Sequence, residues 1–136
     1  MNTLSVRLQD LNEAGVYRLN CPLDDLRVAV AQVGFALFET ELGAVHNKGG
    51  FLTAVAQAIH APSGFGNNWD ALADALGDLS WSDVSGQPAP GYVLLLRNGG
   101  EAMGLPAADL NVATKILADT VSFWKTQGKP FWAFRC

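Results

Sequence analysis

Three aspartates at a spacing of four, Asp70, Asp74 and Asp78, follow a loop that reads Gly64-Phe65-Gly66-Asn67-Asn68. A spacing of four stacks side chains along one face of a helix, because each residue turns the chain by about 100°. Opposite them Leu72, Ala75, Leu76 and Leu79 recur at i, i+3, i+4 and i+7, which is the pattern of a buried stripe. Asn68 is placed to cap this helix by accepting from the N–H of Asp70 or Ala71, and Asp70 falls in the first turn, where the helix dipole favours a negative charge. No Lys or Arg occurs from Gly49 to Leu96. An acidic ridge of this kind repels itself by roughly 0.2–0.5 kcal/mol per pair. Lacking its own counterions beside a glycine and aromatic loop, it suits a basic partner; the plainer alternative is a solvated helix face.

Other chemistries fit these residues less well. The loop spacing matches neither a dinucleotide fingerprint nor a phosphate-binding P-loop, no Lys follows it, and Asp70 and Asp74 would repel a phosphate. Asp70 and Asp74 give a hard cation only two ligands, with no third in view, so no metal and no cofactor is expected. His46 and His60 have no nucleophile or acid arranged around them in the sequence. Cys21 and Cys136 lack metal or redox spacing and are expected to be free thiols in a reducing compartment. Of the tryptophans, Trp69 lies off the leucine stripe, and with Phe65 at the loop tip it is a candidate contact residue; Trp81, Trp124 and Trp132 are expected in the core.

The elements that must hold the acidic helix can be read on either side of it. Residues 15–19 alternate as a short strand after a polar N-terminal piece, 24–33 form a helix stopped by Gly34, and 35–42 form a strand. That β-α-β order favours parallel neighbours. Residues 43–50 read as a polar loop and 51–60 as a helix; after the acidic helix, 81–91 is a Pro/Gly/Ser connector and 92–96 a buried strand. A long helix over 107–127 and a strand over 131–134 complete the order β-α-β-α-α-β-α-β, which predicts an α/β fold, a small parallel sheet with helices on its faces.

At 136 residues, 49% hydrophobic and 16% charged, the chain is expected to form one domain. The net charge of −4 is local: the window from Gly49 to Leu96 holds Asp70, Asp74, Asp78 and Asp83, and outside it nine acids balance nine bases. Direct nucleic-acid binding is not expected, since phosphates require a basic patch. The N-terminus has no apolar run of signal-peptide length and no stretch is long enough to span a bilayer, so the expected location is cytoplasmic, without membrane association.

The run Phe65-Gly66-Asn67-Asn68-Trp69-Asp70-Ala71-Leu72-Ala73-Asp74-Ala75-Leu76 resembles the signature of the barstar family, with similarity extending from Phe35 to Phe134. The resemblance implies a small three-layer barstar-like fold with a mostly parallel sheet, residues 35–136 being the core and 1–34 an N-terminal extension with an added strand and helix. It also implies a function: an intracellular protein inhibitor of a guanyl-preferring, barnase-like ribonuclease or related toxin nuclease, plugging its active site. Asp74 matches the acid that enters the nuclease phosphate site and Asp70 a second interface acid, while Gly66 and Asn68 match the loop that shapes the surface. The expected partner-binding set is Phe65, Gly66, Asn67, Asn68, Trp69, Asp70, Ala73, Asp74 and Asp78, on a monomer that is not an enzyme. Three positions depart from the family pattern: Gly64 and Ala73 stand where aromatics are usual, and Phe123 where the long helix usually carries an acid. The alternative function is a non-inhibitory interaction module binding another basic protein.

Overall fold

The two apolar runs read as strands, 92–96 and 131–134, are buried throughout, and the rest of the fold is arranged to cover both of their faces. The computed structural model describes residues 3–19, 23–62, 64–80 and 89–136. In chain order its elements are α1 (Thr3–Leu8), β1 (Val16–Arg18), α2 (Asp24–Val33), β2 (Ala36–Glu41), α3 (Lys48–Ala58), α4 (Trp69–Leu76), β3 (Tyr92–Arg97), α5 (Ala107–Thr126) and β4 (Phe131–Arg135). The four strands pair in parallel in the order β1-β4-β3-β2.

Alternation along the central strands divides the core into two. Tyr92, Leu94, Leu96, Phe131 and Ala133 face a cluster closed by α3, α4 and α5. Val93, Leu95, Trp132 and Phe134 face a second cluster closed by Leu8, Leu23, Leu26, Ala29 and Val30 from the N-terminal segment. The period of two sends successive side chains to opposite faces, so the fold has three layers: helices, sheet, helices. Side-chain bonds at α1 help to fasten the N-terminal layer. The Trp132 indole N–H donates to the Leu8 carbonyl at 3.0 Å, and buried Ser5 on α1 donates through Oγ to Oε1 of Gln32 on α2.

Four expectations are corrected. β1 and β2, consecutive strands, are not neighbours but the two opposite edges of the sheet. β3 and β4 carry apolar side chains on both faces and therefore take the centre, while β1, three residues long and largely exposed, and β2, with exposed Glu41, take the rims. The loop expected over 43–50 ends early, because the Asn47 side chain accepts from the Gly50 N–H at 2.8 Å and starts α3 at Lys48. The acidic helix stops at Leu76, short of Leu79, which reaches the core from a left-handed backbone (φ 52°). Finally, Cys136 is disulfide-bonded, not a free thiol; Cys21, the other cysteine of the sequence, lies outside the described residues, as do Trp81 and Asp83.

Candidate functional site

The loop and α4 meet as expected at Asn68. Its backbone is extended (φ −139°, ψ 170°), its Oδ1 accepts from the Ala71 N–H at 2.8 Å, and its Nδ2 donates back to the Gly66 carbonyl at 3.3 Å. One side chain therefore caps the helix and pins the loop. Close approach is what Gly66 permits, since a Cβ there would stand 3.0 Å from Asn68 Nδ2, and Gly64 takes a positive φ of 95° that suits glycine. Asn67, exposed and left-handed at φ 50°, is held by Thr53, whose Oγ1 donates to its Oδ1 at 3.4 Å.

Phe65 and Trp69 are half-buried and pack against the core. Trp69 lies beside Phe51 with ring centroids 6.0 Å apart, and Lys48 Nζ stands 5.9 Å over its ring. Trp69 is thus in part a packing residue that seats α4 on α3. Lys48, just outside the window without basic residues, is the cation that comes to this end of the site.

The carboxylates point outward. Asp70, Asp74 and Asp78 are exposed, and among the described residues none of them forms an ion pair. Asp70 and Asp74 stand on α4 itself. Asp78 is not on the helical ridge but in the turn beyond it, where its N–H donates to the Ala75 carbonyl at 3.1 Å. The turn nevertheless keeps it at the site, because a shallow cavity of about 320 Å³ is lined by Gly64, Phe65 and Gly66 from the loop and by Asp74 and Asp78. Ala73 is exposed and turned the other way, into a groove between α4 and α5.

The structure brings Phe65, Gly66, Asp74 and Asp78 to one concavity; Asn67, Asn68, Trp69 and Asp70, in the loop and the first turn of α4, are not in its lining, and Asn67 lines a separate cavity beside Thr53 and His60. A model of the family described as Barstar (barnase inhibitor) matches residues 35–136. The chain belongs to the barstar family. No curated protein matches it. In this barstar-family chain the matched residues include β2, both central strands, α3, α4 and α5, whereas α1, the edge strand β1 and α2 precede the match.

Ala61, Pro62 and Ala75 also wall the loop cavity, and Ile116 and Asp119 the neighbouring groove. The sequence singles none of them out as site residues: the small and aliphatic ones carry no chemical signal of their own, and Asp119 stands on α5, more than forty positions from Ala73 and Asp74. Among the described residues no group of three or more His, Cys, Asp or Glu could hold a metal ion, and no helix is long and apolar enough to cross a membrane.

Proposed function

We propose that this barstar-family chain is a protein inhibitor of a basic, barnase-like ribonuclease, and not an enzyme, and that it occludes the nuclease with α4 and the loop before it. The observation that carries this reading is a pair of exposed carboxylates, Asp70 and Asp74, unpaired among the described residues at the edge of a rigidly capped loop. A ribonuclease active site is built to grip phosphate. Carboxylates fixed on a preformed helix can occupy that site in the phosphate's place, and a negative face steers a positive partner at long range. Phe65, Gly66, Asn67, Asn68, Trp69, Ala73 and Asp78 complete the proposed contact set. The capped backbone keeps down the entropy lost on ordering the loop in the complex.

The proposed location is the cytoplasm of a cell that makes the nuclease. Reducing compartments keep thiols free, so this location requires the fold to survive opening of the Cys136 disulfide. Cys136 packs with the cluster on the sheet face away from α4, so its reduction is expected to leave the proposed interface in place.

The test is inhibition of RNA cleavage by a barnase-type ribonuclease, measured at low and high salt. Asp74→Ala is expected to weaken inhibition by more than about tenfold, while Asp25→Ala, exposed on α2 in the opposite layer, leaves it unchanged. Equal effects of the two substitutions would place the interface elsewhere. Recovery of a non-nuclease basic protein on the same face, with no inhibition of any ribonuclease, favours the interaction-module alternative, which draws on Gly64, Ala73 and Phe123 at positions where the family pattern differs.

A further inference from the structure

We propose that the outer edge of β2, with the groove between it and α3, is a docking site for an extended, basic segment of a partner protein, which adds to the sheet as a new strand. Among the described residues β2 has β3 as its one strand neighbour. The Ala36 N–H donates to the Gly91 carbonyl at 3.1 Å and the Leu42 N–H to the Arg97 carbonyl at 2.7 Å, and alternate residues of a parallel strand turn their backbone groups to opposite sides. Ala36, Phe38, Thr40 and Leu42 therefore bond inward to β3, while Leu37, Glu39 and Glu41 present their N–H and C=O groups outward. Among the described residues nothing bonds to those outward groups. Such a row is a template for another strand.

Beside this edge runs a groove of about 440 Å³, walled by Thr40 and Glu41 of β2 and by Ala54, Gln57 and Ala58 of α3. Ala54 and Ala58 stand one turn apart on the helix, so the wall facing the edge is shallow. Thr40 turns to this side, its Oγ1 donating to the Ala54 carbonyl at 3.2 Å, whereas Glu39 turns to the other, where Arg27 of α2 holds it at 2.8 Å. A strand laid along β2 alternates in the same way. Every second side chain enters the groove over the alanines, and those between lie opposite Leu37, Glu39 and Glu41. The groove shares no residue with the loop cavity or with the groove between α4 and α5, so the edge is a second site, apart from α4.

The side chains of the edge select the occupant. Glu39 is already answered by Arg27 and Arg97, at 2.8 and 3.6 Å. Glu41 is exposed, accepts from the Asn98 side chain at 2.7 Å and from the Gly43 N–H at 2.8 Å, and has no ion pair among the described residues. A lysine or arginine directly opposite Glu41 supplies the missing countercharge, whereas an acid there is repelled. A second copy of this chain fits worse, because antiparallel pairing centred on Glu39 sets that acid against its own counterpart. Charged side chains on an edge strand guard against such self-association. Valine and isoleucine suit the groove, since they favour extended backbone and bring no polar group to the alanines.

The test uses the isotope-labelled full chain and the peptide acetyl-Lys-Val-Thr-Val-Val-amide. In an antiparallel ladder its Lys, Thr and last Val lie opposite Glu41, Glu39 and Leu37, and its other two valines enter the groove. Titration followed by NMR is expected to shift the amides of Leu37, Glu39, Glu41, Ala54 and Ala58 and to slow hydrogen exchange at the outward N–H groups. Replacing the peptide's Lys by Glu should weaken binding about threefold to fivefold, a preference that Glu41→Gln should abolish. N-methylation of the peptide's Thr keeps the charge but removes its ladder bond to Glu39, and should weaken binding about tenfold. Shifts confined to residues 64–78, equal binding of the N-methylated peptide, no preference for Lys over Glu, or no shift at millimolar peptide would each overturn the site. Concentration-dependent shifts at the same edge without peptide would overturn it too, because they mark a second copy as the occupant. No readout involves a ribonuclease, so a failure here leaves the inhibitor reading standing, and a chain that inhibits no ribonuclease still binds the peptide.

Discussion

The indole N–H of Trp124 on α5 donates to the carbonyl of Leu76, the last residue of α4, at 2.8 Å in a buried contact. Helix C-termini leave carbonyls without intrahelical partners, and here a side chain from the long helix supplies one. The bond therefore fixes where the acidic helix ends and how it lies on its neighbour. Trp124→Phe keeps a ring against Tyr92, whose centroid is 4.9 Å away, but leaves the Leu76 carbonyl unpaired. A buried polar group left in that state costs about 1–3 kcal/mol. The expected result is a lower urea midpoint, with faster hydrogen exchange at α4 than at the central strands; unchanged exchange in α4 would mean the bond does not hold the helix.

Asn68 joins the loop to the helix, and its two roles can be separated. Asn68→Ala removes the cap accepted from Ala71 and is expected to cost about 1 kcal/mol, read as a lower melting temperature. Asn68→Asp keeps an oxygen for the cap but gives up the donor to the Gly66 carbonyl. Its melting temperature should match the wild type while the loop from Gly64 to Asn67 loosens, visible as broadened amide resonances. Equal destabilisation by both substitutions would show that the cap contributes nothing.

The cap at Asn68, the burial of Leu72 and Leu76, and the outward carboxylates were legible because each follows from local spacing. The end of α4 was not. Leu79 continues the i+7 apolar pattern, so periodicity alone extends the helix to it, whereas the chain reaches the same buried position by turning through a positive φ. Strand order was lost for a related reason: β1 and β2 are adjacent in sequence, and only the two-sided burial of β3 and β4 sends them to opposite edges. The groove beside α4 joins residues more than forty positions apart, Ala73 and Ile116 among them, and no pattern within one helix announces it.

The family match begins at residue 35, but the second face of the sheet is closed by what precedes it. Val93, Leu95, Trp132 and Phe134 are buried in the cluster with Leu8, Leu23, Leu26, Ala29 and Val30. Each large apolar side chain returned to water forfeits about 1.5–3 kcal/mol, and a domain of this kind has about 5–15 kcal/mol in all. A chain cut to residues 35–136 is therefore expected to aggregate or to bind a hydrophobic dye, not to melt cooperatively. A sharp thermal transition in the truncated chain would show that the N-terminal layer is an addition to a self-sufficient core.

Acid should act first on the far side of β2, away from the acidic helix. Arg27 Nη2 lies 2.8 Å from Glu39 Oε1, and Arg97 Nε stands 3.6 Å from the same oxygen. The hydrogen bond from Arg27 holds the Glu39 carboxyl below its ordinary value of 4.5, against the opposing effect of burial. Glu41 is lowered too, chiefly by the hydrogen bond from Asn98 and then by the Gly43 N–H. Because the folded values are depressed, the stability these groups contribute is fully present above the unfolded value and is lost as pH falls through the folded one. Urea midpoints should therefore hold steady on this account down to about pH 4.5 and decline below it. Glu39→Gln is expected to be less stable than the wild type near neutral pH and to show a shallower decline in acid. A variant whose acid limb runs parallel to the wild type would show that the ion pair with Arg27 does not couple folding to protonation.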